Sequence, residues 1–112
     1  MKLSYVQLGD DKEKRPVCFS LSAIEEIEEK FGGLDKMRDG LTKGKVKTIT
    51  TVLEIMLRAG ENYCKGMGID CPPPLKCRPS DLIDVRDKSV VEQIFAAISA
   101  DSERDIELSG KN

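Results

Sequence analysis

The apolar positions begin with a period of two and then change to a helical period. Residues 3–8, LSYVQL, alternate in part, with Leu3, Tyr5 and Gln7 on one face. GDDKEK follows with the turn chemistry of Gly9, Asp10 and Asp11. RPVCF then resumes extended chain, because Pro16 biases Arg15 away from helix. The pattern predicts a β-hairpin whose loop is longer than the tightest turns.

From residue 20 onward the spacing is helical. Leu21, Ile24, Ile27 and Phe31 make one apolar face, with Glu25, Glu26, Glu28 and Glu29 covering the rest. Ser20 or Ser22 supplies an N-cap, and Ser22 with Glu25 has the spacing of a capping box. Gly32 and Gly33 provide a left-handed stop. LDKMRDGL predicts a short second helix or turn with Leu34, Met37 and Leu41 inward, followed by the basic loop TKGKVK. TITTVLEIMLRAGENYC is the longest helical segment, with Ile49, Val52, Leu53, Met56, Gly60 and Tyr63 on one stripe. Gly60 costs about 1 kcal/mol against Ala inside a helix, so close packing or a local break is expected there.

KGMGIDCPPPLKCRPS interrupts the periodicity. Pro72, Pro73 and Pro74 forbid a helix and favour an extended, stiff arm. SDLIDVRD restarts as a short helix with Ser80 as its candidate cap. SVVEQIFAAISA follows, with Ser89 and Glu92 at capping-box spacing and Val91, Ile94, Phe95 and Ile98 as its buried face. The fold class is therefore α+β, mainly α-helical: an N-terminal β-hairpin followed by about four to five helices. Residues 1–100 are expected to form a single domain, and 101–112 a polar tail that frays.

Composition narrows the function. The 112 residues can bury roughly 60–68 % of their unfolded surface, enough for one core without staples. The formal charge of −2, from 18 basic and 20 acidic residues, argues against nucleic acid as the main partner. No apolar run approaches the ~20 residues that span a bilayer, and the N-terminus lacks the pattern of a signal peptide. The expected location is the cytoplasm, with no membrane partner.

Catalytic chemistry is hard to assemble. The chain has no His, which removes the histidine base, the His-paired nucleophile and the imidazole ligand. Cys18, Cys64, Cys71 and Cys77 lack zinc-ligand spacing, and free thiols are the default over a Cys71–Cys77 bridge. Cys18 reads as a small core residue. GLTKGKV, residues 40–46, fails as a phosphate loop, having three residues between its glycines where four are required and Val46 in place of the hydroxyl. It reads as a solvated basic turn in which Lys43, Lys45 and Lys47 offer at most a weak anion contact. Asp81, Asp84 and Asp87 lack the glycine turn and closing Glu of a calcium loop and read as charge on an exposed helix. The triple proline reads as a stiff connection in preference to a ligand for an aromatic groove. No catalytic, cofactor or metal residue is assigned, and an enzyme is not expected.

The order of these segments, KRPVCFSLSAIEEIEEKFGGLDKM, TVLEIMLRAGENY, PSDLIDVRD and VVEQIFAAIS, resembles the tail assembly chaperone family of long-tailed phages and prophages. Phe19, Leu21, Ile24, Ile27, Glu28 and Gly32 match its first helix, Leu57, Ala59 and Gly60 its central helix, and Asp81, Leu82, Ile83 and Asp84 its acidic restart. The match covers residues 2–100 through soft positions. Arg58 stands where the family usually has an aromatic, and CKGMGIDCPPPLKC departs from the pattern.

The resemblance implies a non-enzymatic protein that binds the long helical tape-measure protein, helps recruit tail-tube subunits and leaves before the virion is complete. Such a chaperone needs apolar area with a charged rim. Met56 and Met67 are candidates for it, core packing being the expected fate of Met56, and a groove between the central and last helices could receive a helical client. The alternatives are a structural component retained in the virion and a small DNA-binding regulator, although no helix has the Arg, Lys, Asn and Gln content of a recognition helix. The hairpin and the proline arm both offer routes to a homo-oligomer.

Overall fold

A computed structural model describes residues 3–110, with side chains described for 3–99. The expectation that 101–112 frays falls largely on side chains, and on residues 111–112, that lie outside the described ones. Strands β1 (Ser4–Val6) and β2 (Arg15–Val17) pair antiparallel, with Ser4 opposite Val17, Tyr5 opposite Pro16 and Val6 opposite Arg15. Helices α1 (Leu21–Phe31), α2 (Leu34–Thr42), α3 (Val46–Met67) and α4 (Ser89–Gly110) follow, with a 3-10 helix (Pro79–Leu82) between the last two. The architecture is the mainly helical α+β fold expected, hairpin first.

The hairpin buries the face opposite to the Leu3, Tyr5, Gln7 series. Val6 and Leu8 enter the core while Tyr5 is exposed. Arg15 sets the long loop, its Nε donating to Asp11 Oδ2 at 2.6 Å and its Nη1 to the Pro73 carbonyl at 2.8 Å. The Gln7 amide donates to the Asp11 carbonyl, closing the turn from inside. Gln93 of α4 completes it: its Oε1 accepts from the Gln7 N–H at 2.7 Å and its Nε2 donates to the Gln7 carbonyl at 3.0 Å. Both backbone groups of Gln7, just past the end of β1, thereby find partners.

The Arg15 guanidinium holds the Asp11 carboxyl below the usual carboxylate range. A folded-state value lowered this way adds stability that is fully present above the unfolded pKa and disappears as pH falls through the folded one. Urea unfolding from neutral pH down to about pH 3 should show the advantage of wild type over Asp11→Asn shrinking below about pH 4. An advantage that stays constant over that range would mean the pair adds no linked stability.

Ser20 is the N-cap of α1, in extended backbone, and its hydroxyl accepts the Ala23 N–H at 3.2 Å. The Ser22–Glu25 capping box does not form, because α1 has already begun at Leu21 and the Ser22 hydroxyl lies 3.1 Å from that of Ser20. Ala23 and Ile27 are buried, whereas Leu21 is 83 % exposed and leaves the predicted apolar face. Gly32 ends α1 as expected, its N–H reaching the Glu28 carbonyl at 2.8 Å.

Helix α3 is the spine. Val52, Leu53, Ile55 and Met56 are buried in it, joined by Met37 and Leu41 from α2 and by Ile94 and Ile98 from α4. Tyr63, placed on its apolar stripe by spacing, is only half-buried, and Cys64 occupies the core position instead. Strand β2 crosses α3 at Gly60. A Cβ there would overlap the Pro16 carbonyl oxygen and lie 2.7 Å from the Val17 Cα. The Cys18 N–H, immediately after β2, points at the Met56 carbonyl at 3.4 Å. Close packing, not a break, explains this glycine, since α3 continues unbroken through it.

On α4 the inward positions are Val90, Ile94, Ala97 and Ile98, with Val91 and Phe95 half-buried. The buried stripe is therefore rotated from the predicted one. Ser89 does not act as a capping acceptor. Its own N–H and hydroxyl donate to Asp87 Oδ1, at 2.9 and 2.6 Å.

Candidate functional site: an apolar cleft between the third and fourth helices

The segment leading into α4 is shaped by aspartates. Arg78, not Ser80, occupies the cap position of the 3-10 helix, and its N–H donates to Asp81 Oδ2 at 3.1 Å. Asp84 accepts the Arg86 N–H at 2.9 Å and holds the Arg86 guanidinium at 3.2 and 3.0 Å. Asp87 in turn receives Ser89. The three acids are thus turn and cap acceptors placed around one short 3-10 helix and a following turn, where spacing predicted charge on an exposed helix. Hydrogen bonds from Arg86 to Asp84, and from Ser89 to Asp87, hold both carboxyls below their ordinary range.

This turn carries Val85 outward, 84 % exposed. Across from it, α3 begins at Val46, 60 % exposed. Between them is a cleft of about 170 Å³, with Ile49 and Leu53 of α3 on one wall, Val90 and Val91 of α4 on the other, and Ile83 and Val85 along the connection. Gly44, Thr50, Ser80, Asp84 and Asp87 complete its lining. Asp84 and Asp87 make an acidic edge, and Lys45 and Lys47 flank Val46 in the chain. The cleft therefore has the composition of a small hydrophobic docking site beside charge.

A second hollow of about 280 Å³ lies under the proline arm. Arg15, Glu54, Arg58 and Glu61 line it with Leu57, Cys71, Pro72, Pro74, Leu75 and Cys77. Its four charged side chains are already engaged: Arg15 with Asp11, Glu54 with Arg78 at 3.0 Å, Arg58 with Glu26 at 2.7 Å and Glu61 with Lys65 at 2.9 Å. They fasten the arm and neighbouring elements, and no charged group is left aimed at a ligand.

Other candidates from sequence fall apart in space. Met56 is buried, and Met67, 63 % exposed at the end of α3, does not line the cleft. Lys43 pairs with Asp39 at 3.1 Å, and Lys45 borders a separate hollow beside Asp35 and Asp39. Cys18 and Cys64 are buried, while Cys77 is exposed. Among the described residues no group of three or more His, Cys, Asp or Glu is arranged to hold a metal, and no helix is long and apolar enough to cross a membrane. Spacing missed Val46 and Val85, although each leaves a sequence signal: a lone valine between charges, in Lys45-Val46-Lys47 and Asp84-Val85-Arg86. No family model, curated protein or solved structure matches the chain.

Proposed function

We propose that the protein is a tail assembly chaperone of a long-tailed phage or prophage, binding the tape-measure protein without catalysis and aiding tail-tube assembly. The observation that carries this reading is the apolar cleft between α3 and α4, with Val46 and Val85 standing exposed at its edges. An amphipathic helix can lay apolar side chains between the two valines, in the groove between the central and last helices.

Co-expression with the tape-measure protein, followed by size exclusion with light scattering, tests the reading. A stoichiometric complex that keeps the long protein in solution is the expected result. Val85→Asp should weaken it by about tenfold or more, since a carboxylate would be desolvated against apolar client atoms, while the melting temperature stays near wild type. A long protein that precipitates while this chain elutes unchanged would remove the main support for a chaperone.

A further inference from the structure

We propose that the proline arm, residues 70–77, is a lid that swings open as one stiff piece over the hollow beneath it while the core stays folded. Its backbone is weakly held. Among the described residues no backbone–backbone hydrogen bond involves 70–77, and the arm's carbonyls accept one bond from elsewhere, Arg15 Nη1 on Pro73 at 2.8 Å. Pro72, Pro73 and Pro74 have no N–H to give, so no ladder of amide bonds can tie them down. Segments with few backbone bonds and few buried contacts open locally before the whole protein does. The same prolines keep the arm extended and stiff, so it moves as a unit. Points of rotation lie just outside them. Gly68 has φ +69° and nothing within 4 Å of its Cβ position, and the chain bends at Lys76 and Cys77.

The arm spans its floor instead of packing onto it. About 280 Å³ of space lies under it, bounded by Pro16 of β2 and Leu57 of α3 on one side and by Cys71, Pro72, Pro74 and Leu75 on the other. Three clasps hold the lid down. Arg15 reaches Pro73 and is itself fixed by Asp11 at 2.6 Å. Leu75 is half-buried against the core. Arg78, just past the arm, meets Glu54 of α3 at 3.0 Å, with its own side chain 66 % exposed. Releasing these three lifts the arm and uncovers Pro16 and Leu57. Neither α3 nor the hairpin has to unfold, because the Ile69 N–H closes the helix on the Cys64 carbonyl at 2.8 Å and the strands pair through other groups. The lid is independent of any client at the α3–α4 cleft.

Pulsed alkylation reads the opening. Cys71 is half-buried and lines the hollow, Cys77 is exposed, and Cys18 is buried in the core. They fall on separate tryptic peptides, 66–76, 77–86 and 15–30. The folded full chain receives a short pulse of iodoacetamide. The remaining thiols are labelled with a heavy form after denaturation, and the digest is quantified by mass spectrometry. Arg78→Gln, which loses an exposed ion pair, should speed Cys71 labelling about two- to fivefold. Arg15→Lys, which loses the fork joining Asp11 to Pro73, should speed it about fivefold or more. Cys18 should label at the wild-type rate in both. High salt should speed Cys71 in the wild type more than in Arg78→Gln. An unchanged Cys71 rate in the variants, or Cys71 and Cys18 accelerating together, would overturn the lid. Arg78→Gln decides the question alone if Arg15→Lys folds poorly.

Discussion

Gly60→Ala is expected to destabilise the protein by about 3 kcal/mol, although alanine is the better helix former by about 1 kcal/mol. The propensity gain is real but small. Against it stands a new Cβ that would overlap the Pro16 carbonyl oxygen, 2.5 Å from its carbon and 2.7 Å from the Val17 Cα. All three are backbone atoms of β2, so no side chain can rotate away. Relief requires the strand to lift from α3, which would uncover Val17 and stretch the approach of the Cys18 N–H to the Met56 carbonyl. Equilibrium urea unfolding checks this, with Gly66→Ala as the control. Gly66 is also in α3, but nothing lies within 4 Å of its Cβ position, so that variant should be neutral or slightly stabilising. Equal effects at the two positions would mean that the strand does not rest on the helix at Gly60.

That glycine also shows where sequence reasoning stops. Its cost inside a long apolar stripe announces a close neighbour, but nothing nearby in the chain says that the neighbour is Pro16. The same division runs through the fold. Ser20 and Gly32 are legible because caps depend on local backbone geometry, and the hairpin is legible because Pro16 and the Gly9 turn act locally. The buried face of each element is less so. Leu21 has helical spacing with Ile24 and Ile27, yet it is the first residue of the helix and stays exposed, while Ala23 of the same turn is buried. The Gln7–Gln93 pair joins residues 86 apart and leaves no periodic trace. Asp81, Asp84 and Asp87 were readable as charge but not as turn acceptors, because three-residue spacing suits both a helix face and successive turns. Sequence suggests a groove between the central and last helices only in outline, and the structure has a small apolar cleft there. Its edges are not legible, since Val46 and Val85 are isolated apolar residues that any pattern of burial would discard.

Gly9→Ala should have an effect of similar size, about 3 kcal/mol, and should reach the cleft as well as the hairpin. Two separate costs combine. Gly9 has φ +51°, a left-handed conformation in which a side chain costs roughly 1–2 kcal/mol. Its Cβ would also overlap the Leu82 carbonyl oxygen and come 3.1 Å from the Leu82 carbonyl carbon. Gly44→Ala separates the costs. Gly44 has φ +70° with nothing within 4 Å of a Cβ, so it should show only the conformational part. The difference between the two variants in urea unfolding then measures how tightly the hairpin loop rests on the segment entering α4. Leu82 ends the 3-10 helix and Ile83 beside it lines the cleft, so a displaced Leu82 carbonyl must shift the cleft wall. Hydrogen exchange at the Ile83 amide, which points at the Ser80 carbonyl at 3.5 Å, should therefore quicken in Gly9→Ala and remain unchanged in Gly44→Ala. If the two variants lose the same stability and leave Ile83 alike, the hairpin loop does not support the wall. The shape of the cleft would then rest on the Asp84 and Asp87 turns alone.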